Sequence, residues 1–373
     1  MNLKQLKWIL VLSAFLATSL SFGASKTQKD WTMLVFLNGH NSLDSFGQIN
    51  VDQMKTVGST KNVNVVVQWA STSYGKTRRV FVQKNNPQVI EELDPVDMGD
   101  YNSLIAFIKW GIEKYPAKHY LIDVWNHGNG WKLKSILSQK STMHADNISY
   151  DDISGHSISI PELGKAMKEA SVMMGHKVDI YGSDACLMAM VEVDYELSDS
   201  VAYVVGSEET EPGAGWVYDK LLTQWGKDAP TVAKTIVSTY VGAYTDVTMA
   251  AVDESQISGL ATSLSDLKAA ISPTFMKDAA SKALSFTYPD YIDIGDFLTQ
   301  LVISDPTMTK YADEVTQAMD KFVILSQANG VKSLAHGVSI WIPLTQTSDM
   351  DRYTDMQFPV VTGWADLIKS LWK

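Results

Sequence analysis

Cysteine is almost absent from this chain. Cys186 is the only one in 373 residues, so no internal disulfide can form. One thiol and seven scattered histidines also exclude a zinc site of the usual spacing. Positive charge is in deficit: 31 Lys and Arg face 42 Asp and Glu, for a net charge of −11. Nucleic-acid binding is excluded on that ground, because phosphate contacts need clustered Lys and Arg. Long apolar runs are missing as well. Trp8 to Leu20 has 13 residues, short of the ~20 a membrane helix needs, and no other stretch comes nearer. That run follows Lys4 and Lys7 and precedes Ser21-Phe22-Gly23, with small residues at the positions a signal peptidase reads. Residues 1–23 are therefore expected to be a signal peptide cut after Gly23, the rival being an uncleaved anchor. No cysteine follows the run, which excludes a lipoprotein anchor there. The mature chain, at −13 without the two signal lysines, is expected to be secreted or periplasmic, monomeric and free of the membrane.

What is present is an alternation. Short apolar runs rich in Val, Ile and aromatics predict strands at Thr32–Asn38, Val63–Trp69, Arg79–Gln83, His119–Trp125, Val178–Ser183 and Ala202–Gly206. Between them the spacing predicts helices over Ser42–Lys55, Asn102–Lys114, Pro161–Met173 and Leu187–Leu197. Asp44 or Ser42 suits the first N-cap, and Pro161 with Glu162 suits a first helical turn. Strand and helix in turn imply an α/β fold with a mainly parallel sheet covered by helices. Lys132 to Ser154 interrupts the pattern and reads as an exposed polar loop. Beyond about residue 248 helices dominate: Ser255–Ile271, Pro273–Leu284, Tyr291–Ile303, Met308–Gln327 and Trp364–Trp372. One strand returns at Gly337–Ile342. The expected organisation is a main α/β domain over 24–248 and a mostly helical C-terminal subdomain over 249–373, its strand joining the main sheet or forming a small one.

Two strand ends carry the chemistry. Tyr120 to Trp125 leads into Asn126-His127-Gly128, and Val178 to Ser183 leads into Asp184-Ala185-Cys186, 59 residues after His127. In open α/β sheets ligands sit beyond the carboxyl ends of the strands, where His40-Asn41 and Ser207-Glu208-Glu209 would also lie. A free thiol is mostly protonated at neutral pH and needs a nearby imidazole to take its proton. His127 is the candidate base, and then the general acid toward the leaving amine. The backbone amides of Cys186 and Gly128 are candidate oxyanion donors; glycine beside the base lets the backbone approach closely. Alone, Cys186 reads equally as a buried, inert thiol, and His127 as a hydrogen-bonded loop residue. The pairing at two strand ends favours nucleophile and base.

His-Gly, a spacer and then Ala-Cys resembles the caspase-like cysteine peptidase superfamily. The longer segments Asn126-His127-Gly128-Asn129-Gly130-Trp131, Asp184-Ala185-Cys186-Leu187-Met188 and Ser207-Glu208-Glu209-Thr210-Glu211-Pro212-Gly213-Ala214-Gly215-Trp216 resemble the clostripain family of bacterial peptidases. So do Tyr150-Asp151-Asp152-Ile153-Ser154 and Gly337-Val338-Ser339-Ile340-Trp341-Ile342-Pro343. The resemblance covers most of the chain from Trp31 to Pro343. It implies a caspase-like catalytic domain, a Cys/His dyad without an essential third member, and cleavage of peptides after Arg or Lys.

In that family acids at the base of the S1 pocket bind the basic side chain. Asp184 matches one of them; read from its position alone, it serves equally as N-cap of the Leu187–Leu197 helix. Some relatives carry a second acid just before the glycine here numbered 215, where this chain has Ala214. Glu208, Glu209 or Glu211 could substitute, or be solvated loop charges. Several members activate by cutting themselves after the histidine, which nominates Lys140 and then Lys134 in the polar loop, unless that loop stays intact. The chemistry requires no cofactor. Calcium stays open at Asp146, Asp151, Asp152 and Asp184, without an Asp-x-Asp-x-Asp-Gly pattern to support it. The alternative function is a catalytically silent binding or adhesion protein on the same scaffold, and transpeptidation through the same thioester is a third reading.

Overall fold

In a computed structural model, which describes residues 28–132 and 147–373, the strand-like runs pair into one nine-stranded sheet. Along the chain the strands are β1 Lys29–Gly39, β2 Val63–Ser71, β3 Lys76–Gln83, β4 Asn86–Leu93, β5 Ala117–Trp125, β6 Ile148–Asp151, β7 His156–Ile158, β8 Val178–Asp184, β9 Val201–Gly206, β10 Thr248–Asp253, β11 Tyr291–Asp293, β12 Val323–Ala328 and β13 Ser339–Trp341. The main sheet runs β12-β10-β9-β8-β5-β1-β2-β3-β4. Its centre, from β9 to β2, is parallel, and antiparallel strands extend both sides. Central strands are apolar because both faces are covered: β2 is buried at every position, whereas edge strand β4 is largely exposed.

One face packs under α1 Asp44–Val57, α5 Tyr218–Thr223 and α6 Ala229–Val241. The other carries α2 Tyr101–Lys114, α3 Ile160–Met174, α4 Val191–Leu197 and, from the C-terminal part, α7 Ile257–Ala270, α8 Pro273–Lys282, α9 Ile294–Ser304 and α10 Thr309–Phe322. Local chemistry sets several boundaries. Ser159 and Glu162 close a capping box with Pro161 in the first turn of α3. The expected cap of α1 is not made: Leu43 holds the cap position, and Asp44 instead accepts from the Ser73 amide and the Thr72 and Ser73 hydroxyls.

The structure departs from the helical reading in three places. The Met308–Gln327 pattern ends as helix at Phe322, and Val323–Ala328 becomes β12 because β10 offers it a ladder. Tyr291–Asp293 is strand rather than helix start and pairs with β13. The helix after Cys186 begins only at Val191. The expected division near 248 falls at the first residue of β10. Both β10 and β12 complete the main sheet, while β11 and β13 form a separate two-stranded sheet. The Lys132–Ser154 stretch contains β6, which pairs with β7 just beyond it; the candidate processing residues Lys134 and Lys140, with Asp146, lie outside the described residues.

Candidate active site

The register aligns the strand ends. Leu37 on β1 pairs with Trp125 on β5, and Trp125 pairs with Asp184 on β8. Strand order reverses between β1 and β5, which opens a crevice at their carboxyl ends. Asn126 ties the three ends together: its side-chain amide donates to the Asn38 carbonyl at 2.7 Å, and its backbone N–H donates to the Asp184 carbonyl at 3.2 Å. His127 follows, with its Nε2 3.0 Å from Ser42 Oγ. Gly128 then lies against the Cys186 segment. A Cβ there would sit 2.4 Å from the Cys186 carbonyl oxygen, so only glycine allows the approach.

Cys186 and His127 open into one cleft of about 240 Å³, whose walls include Asp184, Glu211 and Gly215. Two larger cavities, about 540 and 560 Å³, lie elsewhere, one beside Trp31 and Trp225 at the opposite edge of the strands and one between α7 and α10. Neither contains a cysteine or histidine. The chain turns sharply after Cys186. Leu187 has φ of 65°, a left-handed conformation that costs a non-glycine residue energy, and its N–H donates to the Glu209 carbonyl. The Glu211 N–H donates to the Cys186 sulfur at 3.2 Å. Burial, aided by the charges of Glu209 and Asp184, pushes the thiol above its usual range against that amide bond. A thiol placed this way needs a base to take its proton.

The acids below the cleft divide sharply. Asp184 is 4 % exposed and accepts from the Trp216 N–H and from the Tyr218 hydroxyl at 2.7 Å. It caps no helix: α4 starts seven residues later with Met190 at the cap position. Gly215, at φ of 60°, is what admits it, since a Cβ there would lie 2.4 Å from Asp184 Oδ1. Burial raises the Asp184 carboxyl to about 7. Glu211 faces Asp184, and both its oxygens are buried without a geometric hydrogen-bond partner; burial and then the Asp184 and Cys186 charges push it well up. Glu209 is different. Lys332 Nζ lies 2.6 Å away and Thr287 donates to the same carboxylate. Burial pushes Glu209 up, but the bonds from Lys332 and Thr287 outweigh it and hold the carboxyl below its usual range. Glu209, named as a substrate-pocket candidate, is thus ion-paired within the protein and does not line the cleft. Glu208 is buried under Gly337, whose N–H donates to it, and lies outside the cleft.

Sequence reasoning missed Asp123, fully buried on β5, whose Oδ2 accepts from the Tyr218 hydroxyl at 2.6 Å. A carboxylate inside an apolar strand was the available signal. It also missed Ser42, Tyr218 and Lys332, for which no local pattern exists. His40 sits at the right sheet edge but is buried against Asp151 at 2.8 Å, outside the cleft. Two of the acids named for calcium already have partners within the protein. Asp151 is occupied by His40 and by the amides of Met98, Ile153 and Ser154, and Asp184 by Trp216 and Tyr218. No group of three ligating side chains among the described residues is placed to hold a metal, and no step is derived through one.

The clostripain family model matches residues 35–372. The chain belongs to the clostripain family. Clostripain from Hathewaya histolytica is 24% identical over 337 residues, covering 74% of this chain but only 63% of its own length. A secreted C11 cysteine protease from Bacteroides thetaiotaomicron, solved with an irreversible peptide inhibitor, superposes with a TM-score of 0.72 at 20% identity, over 90% of this chain and 99% of that one. An inactive zymogen C11 protease from Parabacteroides distasonis gives 0.71 at 17% identity, over 93% and 99%. These likenesses establish the caspase-like arrangement of central sheet and flanking helices that the clostripain resemblance implied. No helix among the described residues is long and apolar enough to cross a membrane.

Proposed function

We propose that this chain is an exported cysteine endopeptidase that hydrolyses peptide bonds after Lys or Arg. The observation carrying the reading is that Cys186, His127 and the unneutralised acids Asp184 and Glu211 border one cleft. In this reading His127 takes the Cys186 proton as the sulfur attacks the scissile carbonyl. The N–H groups of Cys186 and Gly128 receive the oxyanion. His127 then protonates the departing amine, and a water deprotonated by His127 releases the acid from the thioester. Asp184 and Glu211 hold the substrate's cation, an ion pair desolvated enough to discriminate basic from neutral side chains. Export through residues 1–23, and self-cleavage after Lys140 or Lys134, belong to the same proposal.

A fluorogenic panel varying the P1 residue tests it with wild-type protein, Cys186→Ala and His127→Ala. Turnover of Lys or Arg peptides is expected for wild type. Cys186→Ala should show none, and His127→Ala should lose orders of magnitude while keeping the far-UV circular dichroism of the fold. Near-wild-type turnover by either variant would sink the dyad. Wild-type protein inert toward every peptide, and unlabelled by a thiol-reactive peptidyl-lysine, would leave the silent-scaffold reading standing.

A further inference from the structure

Beneath the cleft, one hydroxyl serves two acids. Asp123 and Asp184 project from neighbouring parallel strands, β5 and β8. The fully buried Tyr218 hydroxyl lies 2.6 Å from Asp123 Oδ2 and 2.7 Å from Asp184 Oδ2. A phenol has one proton to donate. Two such contacts are both hydrogen bonds only if one of the carboxyls brings a proton of its own. Glu211 adds a third carboxyl within hydrogen-bond reach of Asp184, and no other donor reaches its oxygens. None of the ion pairs among the described residues involves Asp123, Asp184 or Glu211. Asp184 and Glu211 border the cleft and Asp123 does not, so Asp123 acts only through its neighbours.

We propose that Asp123 is a specificity-determining positioning residue: bridged to Asp184 by Tyr218, it keeps a proton in the empty pocket, and the cation of a basic P1 side chain displaces that proton on binding. The inference rests on the basic-P1 reading of the cleft. The step balances. One O–H bond breaks, the proton leaves to buffer, and the ammonium or guanidinium takes its place with no net change of charge in the pocket. The other titratable groups around the cluster are Tyr181 of β8, Tyr240 of α6, Tyr244 just beyond it, Cys186 and His127. Burial raises all three acids, Asp184 to about 7, which places the exchange near neutrality.

The test compares matched peptides with Lys or Met at P1 from pH 5.5 to 8.5. Their kcat/KM ratio cancels the titration of Cys186 and His127. For wild type the Lys/Met ratio should rise about tenfold per pH unit below about 7 and level off above it, as expected when one proton is exchanged for one cation. In Asp123→Asn the rise should flatten while Lys stays preferred, and in Tyr218→Phe, which keeps the ring packing but removes the bond that lowers both carboxyls, its midpoint should move to higher pH. Calorimetry of full-length Cys186→Ala with a Lys-ending peptide, in two buffers of different ionisation enthalpy, should show about one proton released at pH 6 and about half of one at pH 7, and Cys186→Ala/Asp123→Asn markedly less. A wild type that prefers Lys with a pH-independent ratio and buffer-independent heats overturns this inference alone. A wild type with no basic preference overturns the reading beneath it.

Discussion

Glu209 and Glu211 are two residues apart on one loop, and the structure treats them oppositely. Glu209 meets Lys332, Thr287 and the Thr210 amide and is held ionised. Glu211 meets only other acids and is pushed toward its neutral form. Burial is a cost for both; a partner offsets it in one case and is missing in the other. The difference separates a carboxylate with a cation partner in the protein from one without. It comes from the C-terminal part of the chain, because Lys332 and Thr287 both lie beyond residue 248. The substrate cleft is therefore shaped from both halves of the molecule, and the charge of a loop residue says little until its partner is known.

The largest effect should follow from removing a floor charge. Asp184→Asn is expected to lower kcat/KM for Lys and Arg substrates by about 10²-fold, from an unpaired buried substrate charge costing ~3–5 kcal/mol less what solvent returns. Equal losses on basic and neutral P1 residues would show that Asp184 merely shapes the loop. The same variant should reveal the floor's cost to stability. An aspartate raised from its ordinary value near 4 to about 7 keeps its proton in the folded state while the unfolded chain releases it. Stability therefore falls as pH rises from about 4 to about 7, by of order 1–4 kcal/mol for a shift of that size. The melting temperature of the wild type should drop between pH 5 and pH 8, and that of Asp184→Asn should drop less. Parallel pH curves would contradict the unneutralised floor.

How far the sequence led depends on where a signal is local. The six strands predicted in the first half all exist; five are buried central strands, which must be continuously apolar, and that is visible in a window of six residues. His127 and Cys186 stood out as candidates because each lies two residues beyond the end of such a strand. The S1 candidates were legible only as a set: three glutamates in one loop look alike, and Lys332, more than a hundred residues away, distinguishes Glu209 from Glu211. Asp123 was written in plain view within Tyr120-Leu121-Ile122-Asp123-Val124-Trp125, but its partner Tyr218 follows a loop whose course no periodicity describes. β12 was misread because Val323 to Ala328 extends a helical pattern, and only the free edge of β10 makes it a strand.

A wall charge should behave differently from a floor charge. Lys332→Met leaves Glu209 without its cation and loosens the segment whose carbonyl, at Glu209, accepts from Leu187 beside the nucleophile. Several-fold higher KM is expected for basic and neutral P1 residues alike. Lys332→Met combined with Glu209→Gln should recover most of it, since the unpaired charge is then gone. A loss confined to basic substrates would instead place Glu209 in the substrate pocket and erase the distinction between wall and floor.

The smallest effect belongs to the rim. Ser42 Oγ lies 3.0 Å from His127 Nε2, and Ser42 is exposed. A hydroxyl there can accept from the imidazolium and fix the ring's orientation, which makes Ser42 a positioning residue rather than part of the dyad. Neutral hydrogen bonds contribute ~0.5–1.5 kcal/mol, and water competes at an exposed site. Ser42→Ala should therefore lower kcat about two- to fourfold, leave KM for basic peptides in place and shift the acidic limb of the kcat/KM profile to lower pH, because the imidazolium loses an acceptor. Ser42→Thr, which keeps the hydroxyl, should restore both rate and profile. If Ser42→Ala matches wild type at every pH, water replaces the hydroxyl without loss. Energetic consequence in this cleft then follows burial: what the floor acids cannot exchange with solvent, the rim can.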